Sequence, residues 1–142
     1  TANNSGQHGI YSVLSGDTLT NNIVVDQGGG WCLHAFHLVD NWVVANNTLA
    51  NCQNGGIAIG GGGSTQNNTT VINNFVVNSG SSANNNGGIN FRQCGANMVW
   101  QNNAGYGNVP SLYVGTCSGI TQGGIEKDAD GKNRYVWGRR TA

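Results

Sequence analysis

Charge is what this sequence has least of. Charged residues make up 8% of the 142, where a soluble domain usually carries about 25%. Six basic and six acidic residues cancel, so there is no basic surface to neutralise a phosphate backbone and nucleic acid is excluded as a partner. No stretch approaches the ~18 apolar residues that a membrane-spanning helix needs. Proline occurs once, and Ala, Leu, Glu and Lys are too scarce for a helical bundle. The glycines follow no every-third-residue period, which excludes a collagen helix. What is abundant is 24 Gly and 23 Asn, about a third of the chain. The length allows one domain with a core of its own.

Such a composition suits either disorder or a repeat, and a repeat is present. Asn-Asn recurs at Asn21-Asn22, Asn46-Asn47, Asn73-Asn74 and Asn102-Asn103, at intervals of 25, 27 and 29 residues. A short β-prone stretch precedes each pair: Thr18-Leu19-Thr20, Val43-Val44-Ala45, Thr70-Val71-Ile72 and Met98-Val99-Trp100. Another follows the first three pairs: Ile23-Val24-Val25, Thr48-Leu49-Ala50 and Phe75-Val76-Val77. A second element, Gly plus an alternating strand, appears at Gly9-Ile10-Tyr11-Ser12, Gly56-Ile57-Ala58-Ile59 and Gly88-Ile89-Asn90-Phe91. Trp31-Cys32-Leu33-His34 fills this slot in the second unit and Ser111-Leu112-Tyr113-Val114 in the fifth.

A unit of three short strands cannot bury its own apolar face. Stacked at the strand spacing of ~4.8 Å, successive units bury a continuous core. The alignment predicts one inward column of Ile10, Cys32, Ile57, Ile89 and Leu112 and a second of Ser12, His34, Ile59, Phe91 and Val114. Asn22, Asn47, Asn74 and Asn103 are expected to stack as a ladder, since each carboxamide both donates and accepts.

The Gly-Ile strand, the Asn-Asn turn and the rung of ~25 residues resemble the right-handed parallel β-helix superfamily, which includes pectate, alginate and chondroitin lyases, polygalacturonases and phage tailspikes. The resemblance covers residues 9 to about 122. It implies an all-β solenoid of four to five coils with stacked Asn turns. Residues 1–8 would form an edge segment, 9–122 the coils and 123–142 a charged C-terminal cap. Asp128-Ala129-Asp130-Gly131-Lys132-Asn133-Arg134 resembles the closing motif of many secreted bacterial members. An extracellular or cell-surface location follows from the same likeness.

Four cysteines stand at 32, 52, 94 and 117. Cys94 and Cys117 each follow an inward position by three residues, so stacked coils would bring their Cα atoms to ~5 Å, within disulfide range. Cys32 and Cys52 occupy different slots and are expected as buried thiols. His34 is expected in the core, while His37 near Asp40 could form either a base-orienting pair or a turn contact. N-glycosylation sequons stand at Asn3, Asn46, Asn67 and Asn68, with Asn46 expected to be poorly accessible in its stacked turn.

In β-helix lyases the outer face of the first strand is the polysaccharide groove. The resemblance therefore points to Arg92 and Tyr113 as candidate catalytic residues for β-elimination on a uronate polymer, a cation beside a base. Tyr11 and Asn90 become candidate sugar contacts. Yet the first-strand face carries no Asp or Glu. Carboxylate-driven glycoside hydrolysis and a calcium cluster both lack their ligands, no other cofactor is implied, and catalysis by this chain alone is doubtful. Two expectations remain. The chain is a polysaccharide-binding or lyase-like β-helix module, or it is a structural solenoid, such as an adhesin, a tailspike segment or a fibre subunit that self-associates end to end.

Overall fold

The computed structural model describes residues 2–3, 6–37, 40–63, 65–115, 121–127 and 133–137. A short β1 (Ala2–Asn3) comes first. The first coil then carries β2 (Ile10–Ser12), β3 (Thr18–Thr20) and β4 (Ile23–Val25). The second carries β5 (Trp31–Ala35), β6 (Val43–Ala45) and β7 (Thr48–Ala50), the third β8 (Gly55–Ile59), β9 (Thr70–Ile72) and β10 (Phe75–Val77). In the fourth, β11 (Ile89–Phe91) leads to a long β12 (Val99–Tyr106), and β13 (Tyr113–Gly115), β14 (Thr121–Lys127) and β15 (Asn133–Trp137) complete the order. Equivalent strands pair in parallel from coil to coil. The protein is a parallel β-solenoid of about four turns. No helix among the described residues is long and apolar enough to cross a membrane.

Three ladders of strands surround one core, and among the described residues they form two hydrogen-bonded sheets. The β2-β5-β8-β11-β13 ladder stands alone. The other two are joined because β12 runs through the Asn102-Asn103 corner, pairing β9 with its first residues and β10 with its last. At the far end β14 continues in parallel with β12, and β15 lies antiparallel along β14.

The corners explain the paired asparagines. Asn21, Asn46, Asn73 and Asn102 all have left-handed backbone, with φ between 54° and 58°, a region that Asn enters more readily than most residues. The second Asn of each pair points inward. Asn47, Asn74 and Asn103 are at most 1% exposed. Each Oδ1 accepts both the backbone N–H and the Nδ2 of the Asn one coil earlier, at 2.9–3.0 Å, from Asn22 through to Asn103. Each Nδ2 from Asn47 onward also donates to the carbonyl of Leu19, Val44 or Val71. Beyond Asn103 the register places Gly124, where the ladder has no further carboxamide. Conversely, Asn46 is exposed at its corner, contrary to the buried position expected for it.

Inside, Val24, Leu49 and Val76 stack on one wall and Leu19, Val44, Val71 and Trp100 on another. The wall formed by the free-standing sheet corrects the expected columns. Ile10 pairs with Leu33, not Cys32, and Ile89 pairs with Tyr113, not Leu112, although Cys32 and Leu112 are both buried in the core as expected. The inward columns are therefore Ile10, Leu33, Ile57, Ile89, Tyr113 and Ser12, Ala35, Ile59, Phe91, Gly115. A one-residue slip exchanges the faces of a strand, so His34 and Val114 belong to the outer column with Tyr11, Ala58 and Asn90. The cause in the second coil is one additional residue in the glycine corner before β5. Asp26 and Cys32 are six positions apart, where Asn51 and Gly56 are five.

Cys32 and Cys52 are not thiols. They form a disulfide across the coil interior with Cα atoms 5.6 Å apart. Cys94 is also disulfide-bonded; its expected partner Cys117 lies outside the described residues, as do the Asp128 to Lys132 part of the closing motif and the sequon residue Asn4.

Candidate functional site

The outer surface of the free-standing sheet gathers most of the aromatic and imidazole groups that the core does not use. Tyr11 on β2 is 49% exposed. The ring of His8, just ahead of β2, lies nearly parallel to it with centroids 5.2 Å apart. His34, one coil on, meets His8 and Tyr11 edge-on at 4.6 and 5.4 Å. Phe36 closes on His34 at 5.2 Å, and His37 packs on Phe36. Trp31 lies beneath, with its ring 6.0 Å from that of His34. Gly55 leaves room for that indole: a Cβ there would collide with it.

Arg92, immediately after β11, projects to the same side. Its guanidinium lies 5.6 Å from the centre of the Trp31 ring, a cation–π distance. One of its nitrogens donates to Asn86 Oδ1 at 2.9 Å. These two contacts hold an exposed cation in a fixed place. Beside it opens a recess of about 270 Å3, lined by Asn84, Asn85, Asn86, Asn90, Arg92 and Val114 among others. Asn84 closes a short 3-10 turn, and Asn85 follows in left-handed backbone, so the chain bends around the mouth of the recess.

The two imidazoles have a defined protonation pattern. The Trp31 backbone N–H donates to His8 Nδ1 at 3.1 Å, so His8 carries its proton on Nε2. That nitrogen faces His34 Nδ1 at 3.3 Å, which must then accept. His34 is bonded in turn to the Gly60 backbone. Burial lowers the pKa of His8. It lowers that of His34 to about 4, helped by the charges of His8 and Arg92 and opposed by the Gly60 bond. Both rings are neutral at pH 7. A metal ligand normally turns its second nitrogen toward an acceptor, whereas His8 turns its second nitrogen toward an N–H, which does not suit metal ligation.

The structure does not bring the expected catalytic pair together. Tyr113 packs against the core, its ring stacked 6.0 Å from that of Phe91, while Arg92 is exposed on the opposite face. Asn90 points outward but is only 3% exposed. Its Oδ1 accepts from Gly87 N–H at 2.9 Å and its Nδ2 donates to the Gly87 carbonyl at 2.7 Å, so it braces the strand entry rather than offering itself to a ligand. Tyr11 is where a ligand could reach it. Asp40 does not orient His37; its Oδ1 takes the backbone N–H and Nδ2 of Asn67 at 2.7 and 3.2 Å. His8 and His34 were the members missed by sequence reasoning, His34 because of the slipped register and His8 because nothing local marks it.

No family model, no curated protein and no solved structure matches this chain.

Proposed function

We propose that this protein is an extracellular β-solenoid module of the pectate lyase-like kind, which binds an acidic polysaccharide on the outer face of its free-standing sheet. The observation that carries the reading is Arg92. It is exposed, held by Trp31 and Asn86, and has no carboxylate partner among the described residues. A guanidinium kept in place without a counterion is suited to a carboxylate from outside. The Tyr11–His8 stack on the same sheet supplies an apolar ring face of the kind that packs on the C–H surface of a sugar. Among the described residues this face carries no Asp or Glu, and Tyr113 is packed on the core, so binding is favoured over β-elimination.

Binding is tested by titrating polygalacturonate, alginate and uncharged dextran into the protein by calorimetry, with product absorbance followed in parallel. The acidic polymers should bind, dextran should not, and Arg92→Ala should weaken binding at least about tenfold, the loss of one charge-assisted contact. Equal affinity for dextran, or an unaffected Arg92→Ala variant, overturns the reading. A structural, self-stacking role draws support from β2 and β3, which are edge strands among the described residues. Against it, β15 runs antiparallel along β14, where a head-to-tail copy would need a parallel edge. Regular filaments in electron micrographs, with no polymer binding, would favour that second reading.

A further inference from the structure

We propose that His8 and His34 form an acid-labile clasp that closes the first coil of the solenoid onto the second. The chain of contacts runs from Trp31 N–H to His8 Nδ1, from His8 Nε2 to His34 Nδ1, and from His34 to the Gly60 backbone. It joins the segment ahead of β2 to the second coil and to the residue following β8. Only one arrangement of protons satisfies every link, and in it both rings are neutral. A proton added at His8 Nδ1 would face the Trp31 N–H. A proton added at His34 Nδ1 would face the His8 N–H. Each available protonation site therefore sets donor against donor and breaks a link, leaving a polar group without its partner.

The surroundings offer no compensation. The ring of Tyr11 stacks on His8 from β2, Trp31 and Phe36 flank His34 from its own coil, and His37 lies beyond Phe36. The charges that act on His34 are those of His8 and of Arg92, which reaches in from the fourth coil. Both are positive when protonated, so a proton on His34 meets like charge from either side. Burial works in the same direction for both rings. Folded-state pKa values below the unfolded value of 6.5 mean that the closed clasp is fully favoured above about pH 6.5 and is lost as pH falls toward 4. Opening would release β2, which has no strand on its other side, and would dismantle the Tyr11–His8 stack. The inference concerns how the first coil is held and stands whether or not the face binds a polymer.

Two measurements test it on the intact protein. Nitrogen-15 spectra of the histidines should show His8 and His34 as neutral Nε2–H tautomers near pH 7.5. Hydrogen exchange, corrected for intrinsic rates, should show protection over residues 9–12 and 31–36 falling at least about tenfold between near pH 7.5 and about pH 4.5, while β6, β7, β9 and β10 keep theirs. In His34→Gln, which removes the more strongly shifted ring but leaves His8, the pH dependence of first-coil protection should shrink, and in His8→Gln/His34→Gln, which cannot gain charge at either position, it should vanish. Ordinary titration of either ring near 6.5, the opposite tautomer on His8, or first-coil protection that is constant with pH in the wild type would overturn the proposal. So would simultaneous opening of all coils.

Discussion

Asn47 gives its backbone N–H and its side-chain Nδ2 to a single acceptor, Asn74 Oδ1, at 3.0 and 2.9 Å. Asn74 passes its own Nδ2 back to the Val44 carbonyl at 3.0 Å. Removing that carboxamide strands two donors and one acceptor inside the solenoid. Asn74→Ala should cost about 3–5 kcal/mol, since each buried unpaired group costs about 1–3. Asn22, which is half-buried and only donates to the coil below it, should cost about 1 kcal/mol when changed to Ala. Urea denaturation of the two variants gives the comparison, and equal losses would show that the ladder is not the source of the cost.

The preceding residue does a different job. Asn73 is exposed with φ 55°, so the requirement there is backbone conformation. Asn73→Gly should lie within about 0.5 kcal/mol of the parent, and Asn73→Val should lose about 1–2 kcal/mol because a β-branched residue resists the left-handed region. Asn74→Gly, one position on, should be as damaging as Asn74→Ala. Thermal melts of the three variants would separate corner from ladder.

The Cys32–Cys52 bridge closes a loop of 20 residues that spans β6 and β7. The loop-closure relation gives about 3 kcal/mol for such a link. A Cys32→Ala/Cys52→Ala double variant should fall by that amount in denaturant, and reductant should destabilise the parent but shift the double variant less. An unchanged double variant would mean that the unfolded chain gains nothing from the link's removal.

Global stability should follow His34. Its folded pKa, about 4, lies below its unfolded value of 6.5, so it contributes stability above about pH 6.5 and loses it as pH falls through that window. At a partly exposed site the screened effect is about 1–2 kcal/mol. Denaturation free energies for wild type and His34→Gln should converge between pH 7 and about 4.5, the wild type losing more. Parallel curves would assign the acid sensitivity elsewhere.

The period, the ladder and the parallel pairing were legible because each coil repeats the same residues at nearly the same interval, and Asn47, Asn74 and Asn103 announce themselves by their spacing. The face presented by β5 was not, because a corner of consecutive glycines hides one additional residue, and a single residue reverses a strand. The same slip hid His34. Matching equivalent slots could suggest a partner for Cys94 but not the Cys32–Cys52 bridge, whose sulfurs come from unlike positions and meet only inside the tube. Arg92 stood out as the sole cation among the first 125 residues, yet its hold on Trp31 depends on Gly55 being bare, which no pattern reveals.

That absorbed residue before β5 also sets how this architecture can change in length. A loop at a glycine corner tolerates a small insertion locally, since the next carboxamide simply resumes its place. Growth of the tube itself is quantised: a whole storey, cut or spliced between one inward asparagine and the next, leaves every wall aligned, and lesser changes must be hidden at the corners. With Gly124 opposite Asn103, a storey added there would meet a bare backbone where every earlier storey meets an amide.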